Sequence, residues 1–235
     1  MNGFTEIHSH FIYGVDDGAK NRNDMYAMLD QAHANNITKL FATSHINPGF
    51  QPFDTQAFLH HLEEAYRYCI QQQYAIALYG GAEILYNPLI ERYASEHLLP
   101  TLGNTHTILM EFLPDVAYSE MEKAIVMMER NGYNIILAHI ERYNCLSHVK
   151  NVMKLKENYN VLFQVNCSTL LKKQSIFQRM WLHKLLRHKI IDFIASDAHN
   201  VHSRPYCIRD AYEWLTNHVD QSYADALVHG ERKIF

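Results

Sequence analysis

The 235-residue sequence predicts an α/β chain with a parallel sheet, on three observations. Short apolar runs recur seven times, and most are continuous rather than alternating, as strands buried on both faces are. Amphipathic helical patterns separate them. No linker, low-complexity run, internal repeat or shift in composition divides the chain. The alternation fits a doubly wound sheet or a closed or distorted barrel. Seven units in one undivided chain favour a single barrel-like domain over 1–235, a distorted (β/α)7 barrel slightly short of the ~250 residues typical of eight units.

The elements follow in order. Residues 4–10 form the first strand. Over 24–35, Met25, Met28, Leu29 and Ala32 recur at helical spacing, and 38–45 is the second strand. Leu62, Ala65, Tyr66 and Cys69 make 58–72 a helix, followed by a strand over 76–84. Asn87 is placed to cap a helix over 88–96 with Pro88 at its first position. Residues 107–112 are the fourth strand. The helix over 119–131 turns Met121, Ala124, Ile125 and Met128 inward and stops at Gly132. Strands over 134–140, 161–168 and 191–199 then alternate with helices over 149–158, 176–188 and 206–218.

Each strand ends in polar residues of one kind. The first ends in Ile7-His8-Ser9-His10, followed by Asp16-Asp17-Gly18, and the second in Thr43-Ser44-His45. Glu83 ends the third, Glu111 the fourth, and His139-Ile140-Glu141-Arg142 the fifth. Gln164-Val165-Asn166 ends the sixth, and Ser196-Asp197-Ala198-His199 the seventh. Residues two apart on a strand share a face, so His8 and His10 can reach one ion. In a βα barrel the carboxyl ends of the strands converge on one mouth, where active sites sit. Carboxylates are rare at buried positions unless they are paired or coordinated. Five histidines and at least three carboxylates are too many for one ion of about six ligands, which implies two or three metals. Of the 16 histidines, the other eleven fall mostly in helices or loops and read as surface or rim side chains.

Composition narrows the classes. The chain is 48% apolar and 20% charged, with net charge −4. This balance, without a basic stripe, argues against nucleic acid as a partner. Cys69, Cys145, Cys167 and Cys207 form no Cys-x-x-Cys site and read as reduced and cytoplasmic. Residues 1–12 lack the pattern of a signal peptide, and no apolar stretch is long enough to insert in a membrane. The oligomeric state stays open, with an oligomer possible. Six residues beyond the four cysteines stand Ala75, Asn151, Lys173 and Glu213. None is arginine, so a phosphatase of the Cys-x5-Arg type is excluded.

The motifs His8-x-His10, Asp16-Asp17-Gly18, Thr43-x-His45, Gly81-Ala82-Glu83, Glu111-Phe112, His139-x-Glu141-Arg142-Tyr143, Gln164-x-Asn166 and Ser196-Asp197-x-His199-Asn200 resemble the polymerase and histidinol phosphatase (PHP) superfamily. Within it, they resemble the CpsB/YwqE-type bacterial manganese-dependent protein-tyrosine phosphatases. The resemblance runs from Glu6 to about Arg209. Glu6 is a departure, since Asp is common at that position in the branch.

The resemblance implies a PHP-type barrel and three metal positions. His8, His10, Glu83 and Asp197 would hold the first, and Glu83, Glu111 and His139 the second, with Glu83 bridging. Asp17, His45 and His199 would hold the third. The N and O ligands suit Mn, Fe, Zn or Mg, and the family points to Mn2+. The implied reaction is attack of a metal-bridging hydroxide on the phosphorus of phosphotyrosine. Arg142 and Arg204 are candidate phosphate-binding and catalytic groups, and Asn166 a candidate substrate contact. The implied partner is an autophosphorylated bacterial tyrosine kinase, with its C-terminal tyrosine cluster, that controls capsular or exopolysaccharide export. A small-molecule phosphatase such as histidinol phosphatase is the alternative; a nuclease or a non-catalytic binding module fits the residues less well.

Overall fold

The computed structural model describes residues 3–235. Every strand pairing in it is parallel. The strands are β1 (Phe4–Glu6), β2 (Ile37–Ala42), β3 (His45–Ile46), β4 (Ala77–Gly80), β5 (Glu83–Leu85), β6 (Thr107–Glu111), β7 (Asn134–Leu137), β8 (Val161–Asn166) and β9 (Phe193–Ala195). One sheet has the order β1-β2-β4 and the other β3-β5-β6-β7-β8-β9.

The two sheets share two chain segments. The expected strand over 38–45 breaks at Thr43-Ser44 into β2 and β3, and that over 76–84 breaks at Gly81-Ala82 into β4 and β5. A Cβ on Gly81 would lie 2.7 Å from Leu102 Cδ2, so a larger residue at this break would have to displace the Leu102 side chain. The ring closes where the first chain segment meets the last. Asp197 N–H donates to the His8 carbonyl (3.0 Å) and His10 N–H to that of Ala198 (2.8 Å), beside a parallel bridge between Ser9 and Ala198. The result is a seven-position parallel barrel distorted at its second and third strands.

Alternation along the strands divides the core in two. Ile7, Phe41, Leu109, Ile136, Phe193 and Ala195 form an inner cluster with Leu102 and Ile234. Their neighbours Leu40, Ala42, Ile108, Met110, Ile135, Leu137 and Ile194 belong to the outer cluster, packed against the helices. Both faces of the strands are therefore buried, which explains their continuous apolar runs. Residues of the inner register at the strand ends reach the mouth: Glu111 follows Leu109, and Asp197 follows Phe193 and Ala195.

The helices are α1 (Arg22–Ala34), α2 (Thr55–Gln71), α3 (Ile90–Ser95), α4 (Tyr118–Arg130), α5 (Val149–Asn158), α6 (Cys167–Leu171), α7 (Ile176–Arg187), α8 (Ile208–Thr216) and α9 (Gln221–Val228). The Asn21 side chain caps α1 and Asp54 caps α2, so the helices start two and three residues before the starts read from apolar spacing. Caps are polar and lie outside the apolar stripe, so periodicity alone misses them. Asn87-Pro88 does not open a helix. Asn87 Oδ1 accepts from Leu89 N–H (2.8 Å) in a turn, and α3 starts later. Helices α6 and α9 lie outside the expected set. Among the described residues, no helix is long and apolar enough to cross a membrane.

Candidate metal centre

Eight of the nine residues with ligand-type side chains meet at the mouth of the barrel in three overlapping groups, and the ninth, His139, lies beside Glu83 and Glu111. His8, His10, Glu83 and Asp197 form a fully buried one. His45, Glu83 and Glu111 form the second, and His10, Asp17, His45 and His199 the third. Within each group the donor atoms lie within 4.8 Å of one another. Glu83 stands at the centre: its Oε2 lies 3.0 Å from His8 Nε2, 3.3 Å from His10 Nε2 and 3.2 Å from His45 Nδ1, and its Oε1 2.7 Å from His139 Nε2. His139 Nε2 also lies 3.5 Å from Glu111 Oε2, at the edge of the second group. Three placements differ from the ligand sets the resemblance implied. His10 belongs to the third group as well as the first, His45 joins Glu83 and Glu111 in the second with its Nδ1 3.1 Å from Glu111, and His139 stands outside that group.

Three imidazoles are oriented from behind. His8 Nδ1 meets Gln164 Oε1 at 3.2 Å, His10 Nδ1 meets Asp16 Oδ2 at 2.8 Å, and His199 Nδ1 meets the Asp197 carbonyl at 3.1 Å. The Nε2 atoms are thereby turned towards the carboxylates, the arrangement by which outer partners set metal-binding histidines. Asp16 also accepts from the backbone N–H groups of Gly18 (2.9 Å) and His45 (3.0 Å), and Gln164 from that of His139 (2.7 Å). Asp16 and Gln164 stood in the sequence motifs with no role attached. Their signal was adjacency to ligand-type residues.

Two of the seven non-glycine residues with positive φ among the described residues stand here. His139 (φ 33°) and Asp197 (φ 54°) both occupy the left-handed region, uncommon for non-glycine residues. Each directs a side chain into the centre from two residues past the end of its strand.

Among the described residues, six buried side-chain atoms of the centre have no hydrogen-bond partner: His8 Nε2, His10 Nε2, His139 Nδ1, His199 Nε2, Glu83 Oε2 and Asp197 Oδ1. Buried polar atoms left unpaired are costly, and five of these six come within ion-pairing distance of an opposite group without a hydrogen bond. Divalent cations satisfy such atoms. The donors are nitrogen and oxygen with no thiolate, so the residues fit hard or borderline ions.

The charges are interdependent. Burial alone would raise the Glu83 carboxyl, but His8, His10 and His139 around it hold it well below the usual carboxylate range. Burial opposes the charge on His139, yet its hydrogen bonds to Glu111 and Glu83 push it up to about 9. Burial, then the charge of His10, pushes His199 down to about 4.

Two guanidinium groups complete the mouth. Arg142 Nη2 lies 2.5 Å and Arg204 Nη2 2.8 Å from Asp197 Oδ2, which also accepts from Asn166 Nδ2 at 2.9 Å. Both arginines keep about two fifths of their side-chain surface exposed, 42% and 38%. Arg204 is carried by a loop organised by Asn200, whose Oδ1 accepts from the backbone N–H groups of His202, Ser203 and Arg204. Glu6, the departure from the branch pattern, is fully buried. It accepts from Ser196 N–H (3.0 Å) and His8 N–H (3.2 Å), linking the first and last strand segments behind the centre. Burial pushes its pKa up to about 7.

The family model described as "Capsular polysaccharide synthesis, CpsB/CapC" matches residues 4–234. The chain belongs to the CpsB/CapC family. Among its relatives, the tyrosine-protein phosphatase CpsB of Streptococcus agalactiae is 26% identical over 236 residues, spanning 94% of this chain and 93% of its own. The tyrosine-protein phosphatase YwqE of Bacillus subtilis is 25% identical over 206 residues, spanning 88% and 81%. A solved structure from the work on YwqE of B. subtilis and CpsB of Streptococcus pneumoniae, described as "unique metal-dependent tyrosine phosphatases", superposes with a TM-score of 0.83 at 25% identity. It covers 94% of this chain and 89% of its own. The inactive dihydroorotase-like domain of a Chaetomium thermophilum protein, 12% identical with a TM-score of 0.60, shares the fold alone.

Proposed function

We propose that this CpsB/CapC-family protein is a metal-dependent protein-tyrosine phosphatase, acting on a phosphorylated bacterial tyrosine kinase of capsular or exopolysaccharide synthesis in the cytoplasm. The observation that carries the reading is the pair of guanidinium groups set on Asp197, a carboxylate of the N/O donor cluster centred on Glu83. The whole chain acts as one catalytic unit. His8, His10, Glu83 and Asp197 hold one ion, Glu83, Glu111 and His139 a second, and Asp17, His45 and His199 a third, with Mn2+ as the resident metal. Such ions supply an ionised water at neutral pH and neutralise phosphoryl charge. Arg142 and Arg204 bind the phosphoryl oxygens through their planar, bidentate donors. Asn166 holds Asp197 and faces the same mouth. A phenolate leaves readily, so a strong general acid is dispensable.

Comparing kcat/KM of the manganese-loaded protein on a phosphotyrosine peptide and on histidinol phosphate tests the reading. A large preference for the peptide is expected. Preference for histidinol phosphate, or turnover of neither, would refute it.

A further inference from the structure

A groove of about 570 Å³ opens beside the metal centre. It is continuous with that centre through Arg142 and Asn166, which line it and also contact Asp197. Beyond them the lining becomes basic. Lys172 and Lys173 stand there with Arg142, against one carboxylate, Glu141. That carboxylate is already engaged: Glu141 Oε1 accepts from Asn166 N–H (3.0 Å) and Thr169 Oγ1–H (2.9 Å). Both lysines are exposed, and among the described residues neither pairs with an acid. Lys154, Lys156, Lys189 and Lys233, by contrast, each do. A local excess of cations on a chain of net charge −4 is a site for an anion.

The lysines also have a fixed address. They follow α6 directly and precede α7, whose start is locked by a capping box between Ser175 and Gln178. The Gln174 amide donates to the Thr169 carbonyl across the same turn. An apolar face adjoins them. Phe177, 83% exposed, lines the groove, and Ile176 (66%) and Met180 (64%) lie next to it on α7. Exposed apolar side chains clustered at a groove mark a contact surface. A small phosphate ester bound at the metals leaves this surface unused, whereas a polypeptide extends along it.

Resting on the phosphatase reading, we propose that this groove seats the peptide segment flanking the phosphotyrosine, with Lys172 and Lys173 recognising an anionic neighbour of that tyrosine and Phe177 packing on the segment. The anion is an Asp or Glu carboxylate or a second phosphoryl group. Exposed ion pairs are individually weak, so two of them give about a three- to tenfold preference, screened by salt.

The test uses the full-length, manganese-loaded protein and three phosphotyrosine peptides that differ only in the neighbouring residues: Asp, a second phosphotyrosine, or Gln. Binding is read by fluorescence anisotropy and turnover as kcat/KM, each expressed as a ratio to the Gln peptide for the same enzyme. The wild type favours an anionic peptide about three- to tenfold at low salt, chiefly through KM, and the ratio falls towards one near 1 M salt. A preference for both anionic peptides assigns the contact to negative charge in general, and a preference for one assigns it to that source. The Lys172→Gln/Lys173→Gln variant loses the preference, while Lys123→Gln, on α4, keeps it. A ratio of one in the wild type, or a preference that survives in the double variant, overturns the proposal. Hydrolysis of p-nitrophenyl phosphate separates the two readings. Its absence overturns the phosphatase reading together with this one, and its presence with a flat peptide ratio overturns the groove alone.

Discussion

Glu83 and Asp197 carry the most ion pairs of the carboxylates in the centre, Glu83 with four histidines and Asp197 with three histidines and two arginines. Glu83 touches four histidines, so Glu83→Gln removes a charge shared between donor groups. We expect turnover to fall at least a thousandfold and the bound metal per chain to drop by at least one ion. Elemental analysis and activity on the same sample check this. Asp16 acts one step back, through His10 Nδ1. Loss of such an outer partner costs about 10- to 100-fold in metal affinity, so Asp16→Asn weakens metal binding on that scale while the fold stays intact by circular dichroism. Glu6 gives a pH signature. Its pKa in the fold, about 7, lies above the ordinary 4.5. The folded state therefore binds the extra proton. The resulting stability is complete below about pH 4.5 and lost as pH rises towards 7. Glu6→Gln keeps an acceptor for the Ser196 and His8 N–H groups without the charge. Urea unfolding of metal-free protein is expected to show the wild type losing about 3 kcal/mol relative to Glu6→Gln across that window. Parallel pH profiles would count against the burial argument.

At the scale of elements, the turn that returns the chain to His10 is the tightest part of the site. Ala19 N–H donates to the His10 carbonyl at 3.0 Å, and a Cβ on Gly18 would lie 2.0 Å from that oxygen. Gly18→Ala must push the His10 backbone away, at about 1–3 kcal/mol for overpacking. The expected result is a melting temperature lower by several degrees together with weaker metal binding; a normal melting curve would show that the turn relaxes freely. Much of the element pattern was readable in advance, because two-sided burial makes each strand a continuous apolar run and each helix shows a stripe. The strand breaks at Thr43-Ser44 and Gly81-Ala82 were not. Ala82 carries no polar or turn signal of its own, and the packing of Leu102 against Gly81 at this break is a long-range contact. The ligand-type residues were legible because carboxylates at the ends of apolar strands are rare. The left-handed conformations of His139 and Asp197, which aim two of those side chains, have only a weak signature in residue type, since His and Asp adopt them more readily than most residues yet usually do not. The Lys172-Lys173 groove was also hidden: its lysines matter only because α6 brings them beside Arg142, thirty residues earlier in the chain.

The whole molecule is a barrel plugged at one end and charged at the other. Leu102 and Ile234 fill the inner core, while the strand ends opposite gather histidines and carboxylates that meet few neutral partners. Stability and metal content are therefore linked. Ligands that bind only the folded state raise its apparent stability by mass action, so chelation lowers the melting temperature and added Mn2+ restores it. The same geometry explains why four scattered cysteines take no part: all nine converging donors are nitrogen or oxygen. The most direct test of the central claim is to titrate Mn2+ into chelator-treated protein while following hydrolysis of a phosphotyrosine peptide. Turnover is expected to be absent without metal and to saturate at two to three ions bound per chain. Turnover that persists without metal, or fails to appear when the ions are bound, would contradict it.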